Sequence, residues 1–111
     1  MAINSKRKGK QGELEWAKFC RENGFENRRG QQYSGLEGED CVGLDGIHQE
    51  VKRVEKLNIY EAMEQSEKDA KKGQLPIVAH RRNRKFWLVT MDAFDWFSMY
   101  SVWLRHGHKP F

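Results

Sequence analysis

The sequence lacks the features that mark a zinc-binding, disulfide-bonded or membrane-spanning protein. It contains two cysteines, Cys20 and Cys41, and neither lies in a Cys-x-x-Cys or Cys/His spacing. No apolar run approaches the ~18 residues that cross a bilayer, and the basic N-terminus has no apolar signal core. It contains neither an internal repeat nor a low-complexity tract. We therefore expect a cytoplasmic protein with reduced thiols and no membrane contact.

Length and charge narrow the class of partner. The chain of 111 residues is long enough for one modest hydrophobic core and too short for two. Lysine and arginine number 20 against 16 acidic residues, which gives a formal net charge of +4. The cations are grouped in short clusters, such as Lys6-Arg7-Lys8 and Arg81-Arg82. This mild excess favours a polyanionic partner such as nucleic acid, and we expect no small-molecule cofactor.

The N-terminal region divides into a predicted arm and a predicted helix. Residues 1–9 are expected to form a flexible basic arm, because a helix N-terminus would repel their cations. Residues 10–111 are expected to form a single domain, whose first helix runs from Lys10 to Asn23 and stops at Gly24. The residues that follow the spacing i, i+3, i+4, i+7 and form its inward stripe are Glu13, Trp16, Ala17 and Cys20.

Strand and helix patterns alternate along the rest of the chain, which predicts an α/β fold with a mixed central sheet flanked by helices. A second helix is predicted from Asn58 to Lys72, where Asn58 and Glu61 form a capping box. The strands are predicted over residues 25–29, 40–43, 47–54, 75–81 and 85–91.

An extra C-terminal helix is predicted from Asp92 to Leu104, with two apolar rows. One row is expected to face the domain core. The other row, if exposed, invites a second copy of the chain, whereas the alternative is a helix buried on both sides. The rows are Phe94, Phe97, Ser101, Leu104 and Trp96, Tyr100, Trp103.

The main indication of function is the pair Glu50 and Lys52, two residues apart in a predicted strand. Side chains alternate faces in a strand, so this pair points the same way while Val51 points into the core. With Asp40, two carboxylates could hold a hard divalent cation, and the ammonium could act on an attacking water. His48 also lies on this face, and we interpret it as structural. The pattern predicts a metal-dependent nuclease.

The length of the loop around Asp45 and Gly46 decides whether Asp40 joins Glu50. A two-residue turn would face Asp40 away from Glu50. A three-residue loop, with Gly46 in the left-handed conformation, would set Asp40 opposite Glu50. We predict the three-residue form, since it alone builds a metal site.

The order helix, strand, strand, strand, helix, strand resembles the PD-(D/E)XK nuclease superfamily. The small size and the early, lysine-flanked Gly12-Glu13 segment are similar to Holliday junction resolvases of archaea and phages. Glu39 precedes Asp40 where the family has proline, so Asp40 and Asp45 are both candidate ligands, and we favour Asp40. The residues that carry the resemblance are Glu13 on the first helix, Asp40 on the second strand, and Glu50 and Lys52 on the third.

The resemblance implies a restriction-endonuclease-like αβββαβ core that hydrolyses DNA phosphodiester bonds with Mg²⁺, for which Mn²⁺ substitutes. It implies metal binding by Asp40, Glu50, the Val51 carbonyl and Glu13, and orientation of the attacking water by Lys52. The expected partner is branched DNA in recombination, repair or phage replication, in a bacterium or phage-infected cell, and the expected state is a homodimer. The residues expected at the DNA backbone are Lys8, Lys10, Arg28, Arg29, Gln32, Tyr33 and Arg53.

Two other interpretations stay open. The chain could be a non-catalytic nucleic-acid-binding module, in which the basic clusters bind and the acids are incidental. It could also keep the fold and act on another target, as a restriction-like nuclease of duplex DNA or a nuclease directed to RNA.

Overall fold

The computed structural model describes residues 5–30 and 40–107, with side chains described from residue 9 onward. Within these ranges three helices and five strands alternate, as an α/β chain requires. The elements in chain order are α1 (Ser5–Glu22), β1 (Arg28–Arg29), β2 (Cys41–Val42), β3 (Ile47–Arg53), α2 (Ile59–Asp69), β4 (Leu75–Arg81), β5 (Leu88–Thr90) and α3 (Ala93–Arg105).

The five strands form one mixed sheet in the order β1-β2-β3-β4-β5, with β3 at its centre. Strands β3 and β4 are parallel, and the other neighbouring pairs are antiparallel. A parallel pair needs a crossover, which α2 supplies between β3 and β4. The predicted α/β fold with a mixed central sheet is confirmed.

Helix α1 covers one face of the sheet through the predicted stripe. Trp16, Ala17 and Cys20 are all buried against Val51 of β3. The buried Gln49 amide accepts hydrogen bonds from Trp16 Nε1 (2.7 Å) and Asn27 Nδ2 (2.9 Å). Because buried amides need such partners, this network fixes β3 against α1. The stripe predicted from the sequence is therefore confirmed as the inward face of α1.

Helix α2 covers the opposite face. Its N-cap is Asn58, whose Oδ1 accepts from the backbone N–H of Glu61 at 3.1 Å, as the sequence predicts. Ala62 and Ser66 are buried, and the Ser66 hydroxyl donates to the carbonyl oxygen of Ile77 in β4 at 2.8 Å. The helix ends at Asp69, three residues earlier than predicted.

The predicted start of the first helix, Lys10, is wrong by five residues. Helix α1 begins at Ser5, so residues 5–9 of the predicted arm are helical. The repulsion between a cation and a helix N-terminus is about 0.3–1 kcal/mol, which is too small to stop the first turns of a helix whose later turns pack against the sheet.

The C-terminal helix departs most from expectation. No residue of α3 is buried, so the prediction that one apolar row faces the domain core is wrong. The physical reason is that α1 and α2 already cover the sheet, and α3 follows an edge strand. Trp96 makes an edge-to-face contact with Phe97 and stacks on Tyr100, which in turn stacks on Trp103.

Both cysteines are free and buried, as expected for reduced thiols. Among the helices that the structure describes, we find none with the length and apolar character needed to cross a bilayer.

Candidate active site

The β2–β3 ribbon brings Asp40 to Glu50. Cys41 pairs with Gln49, which is the register of the predicted three-residue loop. Gly46 takes the left-handed conformation (φ +76°), and the Ile47 N–H donates to the carbonyl oxygen of Leu44 at 3.1 Å. The predicted loop length is therefore confirmed.

Asp40 is held by the backbone of β3. Its Oδ2 accepts from the N–H of Val51 at 2.7 Å, and its own N–H donates to the Gln49 carbonyl oxygen at 3.1 Å. These two bonds place the Asp40 carboxylate beside Glu50, whose pKa it raises. Asp45 lies exposed in the turn, as its position in the sequence suggested.

Gly43 allows this ribbon to pass close to the chain before β1. A Cβ built on Gly43 would lie 2.5 Å from the carbonyl oxygen of Glu26, and its φ of +145° also disfavours other residues. The glycine therefore fixes the path that leads to Asp40.

Glu50 is the centre of the site. Glu50 is 6% exposed, and its Oε2 lies 3.6 Å from the ammonium of Lys52. Burial, and then the Asp40 charge, raise the pKa of Glu50 from 4.5 to about 7, although the Lys52 ammonium opposes this rise. A carboxylate that is buried beside another acid favours the binding of a cation, because an added positive charge would stabilise its ionised form.

Two further residues lie close enough to Glu50 to form a candidate metal site with it. One ligand atom from each of His48, Glu50 and Asp69 lies within 4.8 Å of the others. His48 is fully buried, and its Nε2 lies 3.9 Å from Glu50 Oε1. This position adds His48 to the candidate ligands, and its interpretation as structural stays a prediction.

Asp69 is not among the ligands predicted from the sequence. This residue ends α2, and it also accepts from Gln65 Nε2 at 2.6 Å. Its position at the end of a predicted helix was a usable signal in the sequence. The helix dipole disfavours an acid in the last turn unless a cation compensates its charge. The carbonyl end of α2 thus adds a partial negative charge to the same place.

Glu13 approaches from the α1 side. It is 6% exposed, and its Oε1 accepts from Arg29 Nε at 2.6 Å. Burial and the Asp40 charge raise the pKa of Glu13, while Arg29 and Lys52 lower it. The predicted convergence of the Glu13, Asp40 and Glu50 carboxylates on one cation is found only in part. Among the described residues, groups of three such ligands within 4.8 Å include neither Glu13 nor Asp40.

The donor set fits a divalent cation that prefers oxygen. Asp40, Glu50 and Asp69 offer carboxylates, which suit Mg²⁺ and Mn²⁺, and an imidazole such as His48 favours Mn²⁺ over Mg²⁺. The buried Glu50 with its raised pKa is the observation that makes a cation fit here. The Val51 carbonyl as a further ligand stays a prediction.

The residues expected at the DNA backbone are dispersed. Lys10 and Arg28 are exposed, whereas Arg29 forms the ion pair with Glu13. Arg53 lies on the α1 face, opposite to Glu50, and pairs with Glu15 at 2.9 Å. Gln32 and Tyr33 lie outside the described residues, as does the side chain of Lys8.

Comparison with known proteins gives no relative. Family models, curated proteins and solved structures all yield no match to this chain. A function for the chain is therefore inferred from its residues and their geometry.

Proposed function

We propose that this chain is a Mg²⁺-dependent DNA endonuclease of the PD-(D/E)XK type. The observation that carries the proposal is the Lys52 ammonium 3.6 Å from the buried Glu50 carboxylate, with Asp40 held beside them. A buried acid, a neighbouring acid and an amine on one strand face are the groups that phosphodiester hydrolysis needs.

The arrangement of the elements supports the same proposal. The order α1, β1, β2, β3, α2, β4 is compatible with the αβββαβ core that the resemblance implies. Glu13 lies on α1, Asp40 directly precedes β2 and Glu50 lies on β3, which is close to the arrangement that the resemblance implies. Element order alone is compatible with other α/β proteins, so the side chains carry the argument.

Each residue of the cluster has a role that its surroundings favour. A bound divalent cation would neutralise charge on the scissile phosphate. Asp40 and Glu50 would hold that cation, with His48 and Asp69 as additional or alternative donors. Lys52, whose side chain is 38% exposed, reaches both Glu50 and solvent, so it can orient a water and stabilise developing negative charge.

We include a homodimer in the proposal because of α3. Eight of its large apolar side chains are each at least 39% exposed. Together they expose roughly 800 Å², which is about the area that one partner buries in a standard interface. Asp92 and Asp95 lie at its start and Arg105 in its last turn. An antiparallel pair of α3 helices would therefore set acidic ends against basic ends.

The substrate that we favour is branched DNA, as in Holliday junction resolution. Two copies of the site in a dimer would allow paired cuts across a junction. The competing proposal is a non-catalytic nucleic-acid-binding module, which the net charge of +4 also favours. Duplex DNA and RNA are the other possible targets of the same site.

Cleavage of labelled four-way junction, flap, linear duplex and RNA substrates in Mg²⁺ or Mn²⁺ tests the proposal. We expect the parent to cut branched DNA and Glu50→Gln to abolish cutting. Glu64→Gln is the matched control, because Glu64 is an exposed acid of α2. No cleavage of any substrate, with binding retained, would favour the binding module. Equal cleavage by the parent and Glu50→Gln would disprove the site.

A further inference from the structure

The loop between β4 and β5 forms a basic tip with an exposed aromatic ring. Residues 82–86 read Arg-Asn-Arg-Lys-Phe, and all five are exposed. Phe86 is 89% exposed, more than any other large apolar side chain that the structure describes. Arg84 has a left-handed backbone (φ +63°), which lets the loop turn sharply. Fully exposed phenylalanine is costly to hydrate, so its place among cations calls for an explanation.

This basic tip is tied to the end of the strand that carries Glu50 and Lys52. Arg53 Nη1 donates to Asn83 Oδ1 at 2.8 Å, and the Asn83 N–H donates to Glu55 Oε2 at 2.7 Å. The Val54 N–H also donates to the Arg81 carbonyl oxygen at 3.2 Å. The tip is therefore held at a fixed place relative to Lys52.

Two adjacent concavities, which we call the groove, lie between the tip and Lys52 of the candidate active site. Lys52 lines a concavity together with Val54 and Leu57, and the same two residues line the next concavity with Phe86. Lys52 and His80 are register partners on β3 and β4, so the groove follows the sheet face that carries Glu50. Its cationic lining consists of Lys52, Lys56, Arg81, Arg82 and Lys85, against the acids Glu55 and Glu61.

We propose that the basic tip is a binding site for branched DNA, in which Phe86 stacks on an unpaired base and Arg82 and Lys85 bind the adjacent phosphates. This inference deepens the proposed function and rests on it for the choice of DNA. An aromatic ring stacks on a base only when that base has left the duplex stack, whereas phosphates are available in any DNA. The ring therefore selects branched DNA that contains unpaired bases over linear duplex, and the cations add affinity for both.

Fluorescence anisotropy in EDTA tests this site without cleavage. The probes are a splayed-arm DNA and a linear duplex of equal length. We expect Phe86→Ala to weaken binding of the splayed-arm DNA about tenfold while leaving the duplex affinity within about twofold. Phe86→Tyr should retain the parent affinity. The control is Tyr60→Ala, since Tyr60 is 81% exposed and lies beside Glu64 and Glu67 instead of cations.

The charged residues give a second readout. Arg82→Gln and Lys85→Gln should weaken both probes, and each should reduce the salt dependence of log affinity by about 0.9. An unchanged splayed-arm affinity in Phe86→Ala, or an equal loss on both probes, would overturn the inference. Because EDTA prevents metal binding, the expected result in a chain that never cuts DNA would support the tip and refute the nuclease.

Discussion

Strand β3 and helix α3 depart from the usual distribution of side chains in opposite directions. In β3, His48, Gln49 and Glu50 are at most 6% exposed, although all three are polar. In α3, Phe94 is 86% exposed and no residue is buried, although the helix is rich in aromatic residues. The buried Glu50 carboxyl, whose pKa is raised, and the contiguous exposed apolar surface of α3 are both costly, so each favours the binding of a partner. We interpret β3 as a cation site and α3 as a contact for a second chain.

The largest effect is expected from Lys52→Ala, which removes the amine and leaves the acids in place. It should lower the single-turnover cleavage rate in Mg²⁺ by about 10²- to 10³-fold, because charge developing on the phosphate loses its nearest protein donor. Quenched-flow or gel assays on branched DNA measure this rate. Lys71→Ala, at an exposed lysine after α2, should cut like the parent. A Lys52→Ala rate equal to that of the control would remove Lys52 from the mechanism.

Phe97→Glu tests the proposal that α3 is the contact with a second chain. A charge in the middle of α3 should weaken the dimer by more than about 30-fold, because the ring of a central contact is lost and a carboxylate is desolvated. Light scattering across a dilution series measures the mass. Tyr60→Glu, at an exposed ring outside α3, should keep the parent mass. A monomeric parent would contradict the assignment of α3. Metal binding should persist in the Phe97→Glu monomer, since one chain supplies the whole cluster.

Glu50→Gln should stabilise the metal-free protein at pH 8. The folded pKa of Glu50 is raised to about 7 from 4.5, so the folded state holds this proton more tightly than the unfolded state. The stabilisation that the protonated carboxyl gives to the folded state is fully present below the unfolded pKa of 4.5. It is lost as the pH rises through the folded pKa of about 7. The glutamine variant should therefore exceed the parent by on the order of 1 to 3 kcal/mol at pH 8.

Urea unfolding in EDTA at pH 5 and pH 8 measures this difference. We expect the advantage of Glu50→Gln to shrink at pH 5, where the parent carboxyl is largely protonated. Saturating Mg²⁺ should favour the parent, because the variant has lost a ligand. An advantage of the same size at both pH values would mean that packing, and not ionisation, is the cause.

The smallest effect is expected from Asp69→Asn. This variant tests whether the cation lies on the Asp69 side or the Asp40 side of Glu50. If Asp69 holds or orients the cation, its loss should weaken Mn²⁺ binding about tenfold. Isothermal titration calorimetry measures the affinity, with Glu64→Gln as the control. An unchanged affinity would assign the cation to the Asp40 side of Glu50.

The sequence predicted those features that depend on local spacing. The loop before β3 followed from its glycine, and the α1 stripe followed from helical periodicity. Both caps, Asn58 and Asp92, are found as predicted. These features involve residues within a turn or a hairpin of one another, where backbone geometry leaves few alternatives.

The features that failed depend on contacts between distant elements. Asp69 reaches Glu50 only because the α2 crossover returns the chain along β3, which spacing along the sequence does not reveal. The exposure of α3 depends on which sheet faces the other two helices leave open. An apolar stripe predicts that a helix packs against something, but not whether the partner is its own core.

Paramagnetic broadening by Mn²⁺ tests the cation site most directly. With ¹⁵N-labelled protein and substoichiometric Mn²⁺, we predict that amide signals of Asp40, residues 48–52 and Asp69 broaden first, and that Glu50→Gln abolishes this selectivity. Selective broadening around the acids at the start of α3, or none at any position, would contradict the account.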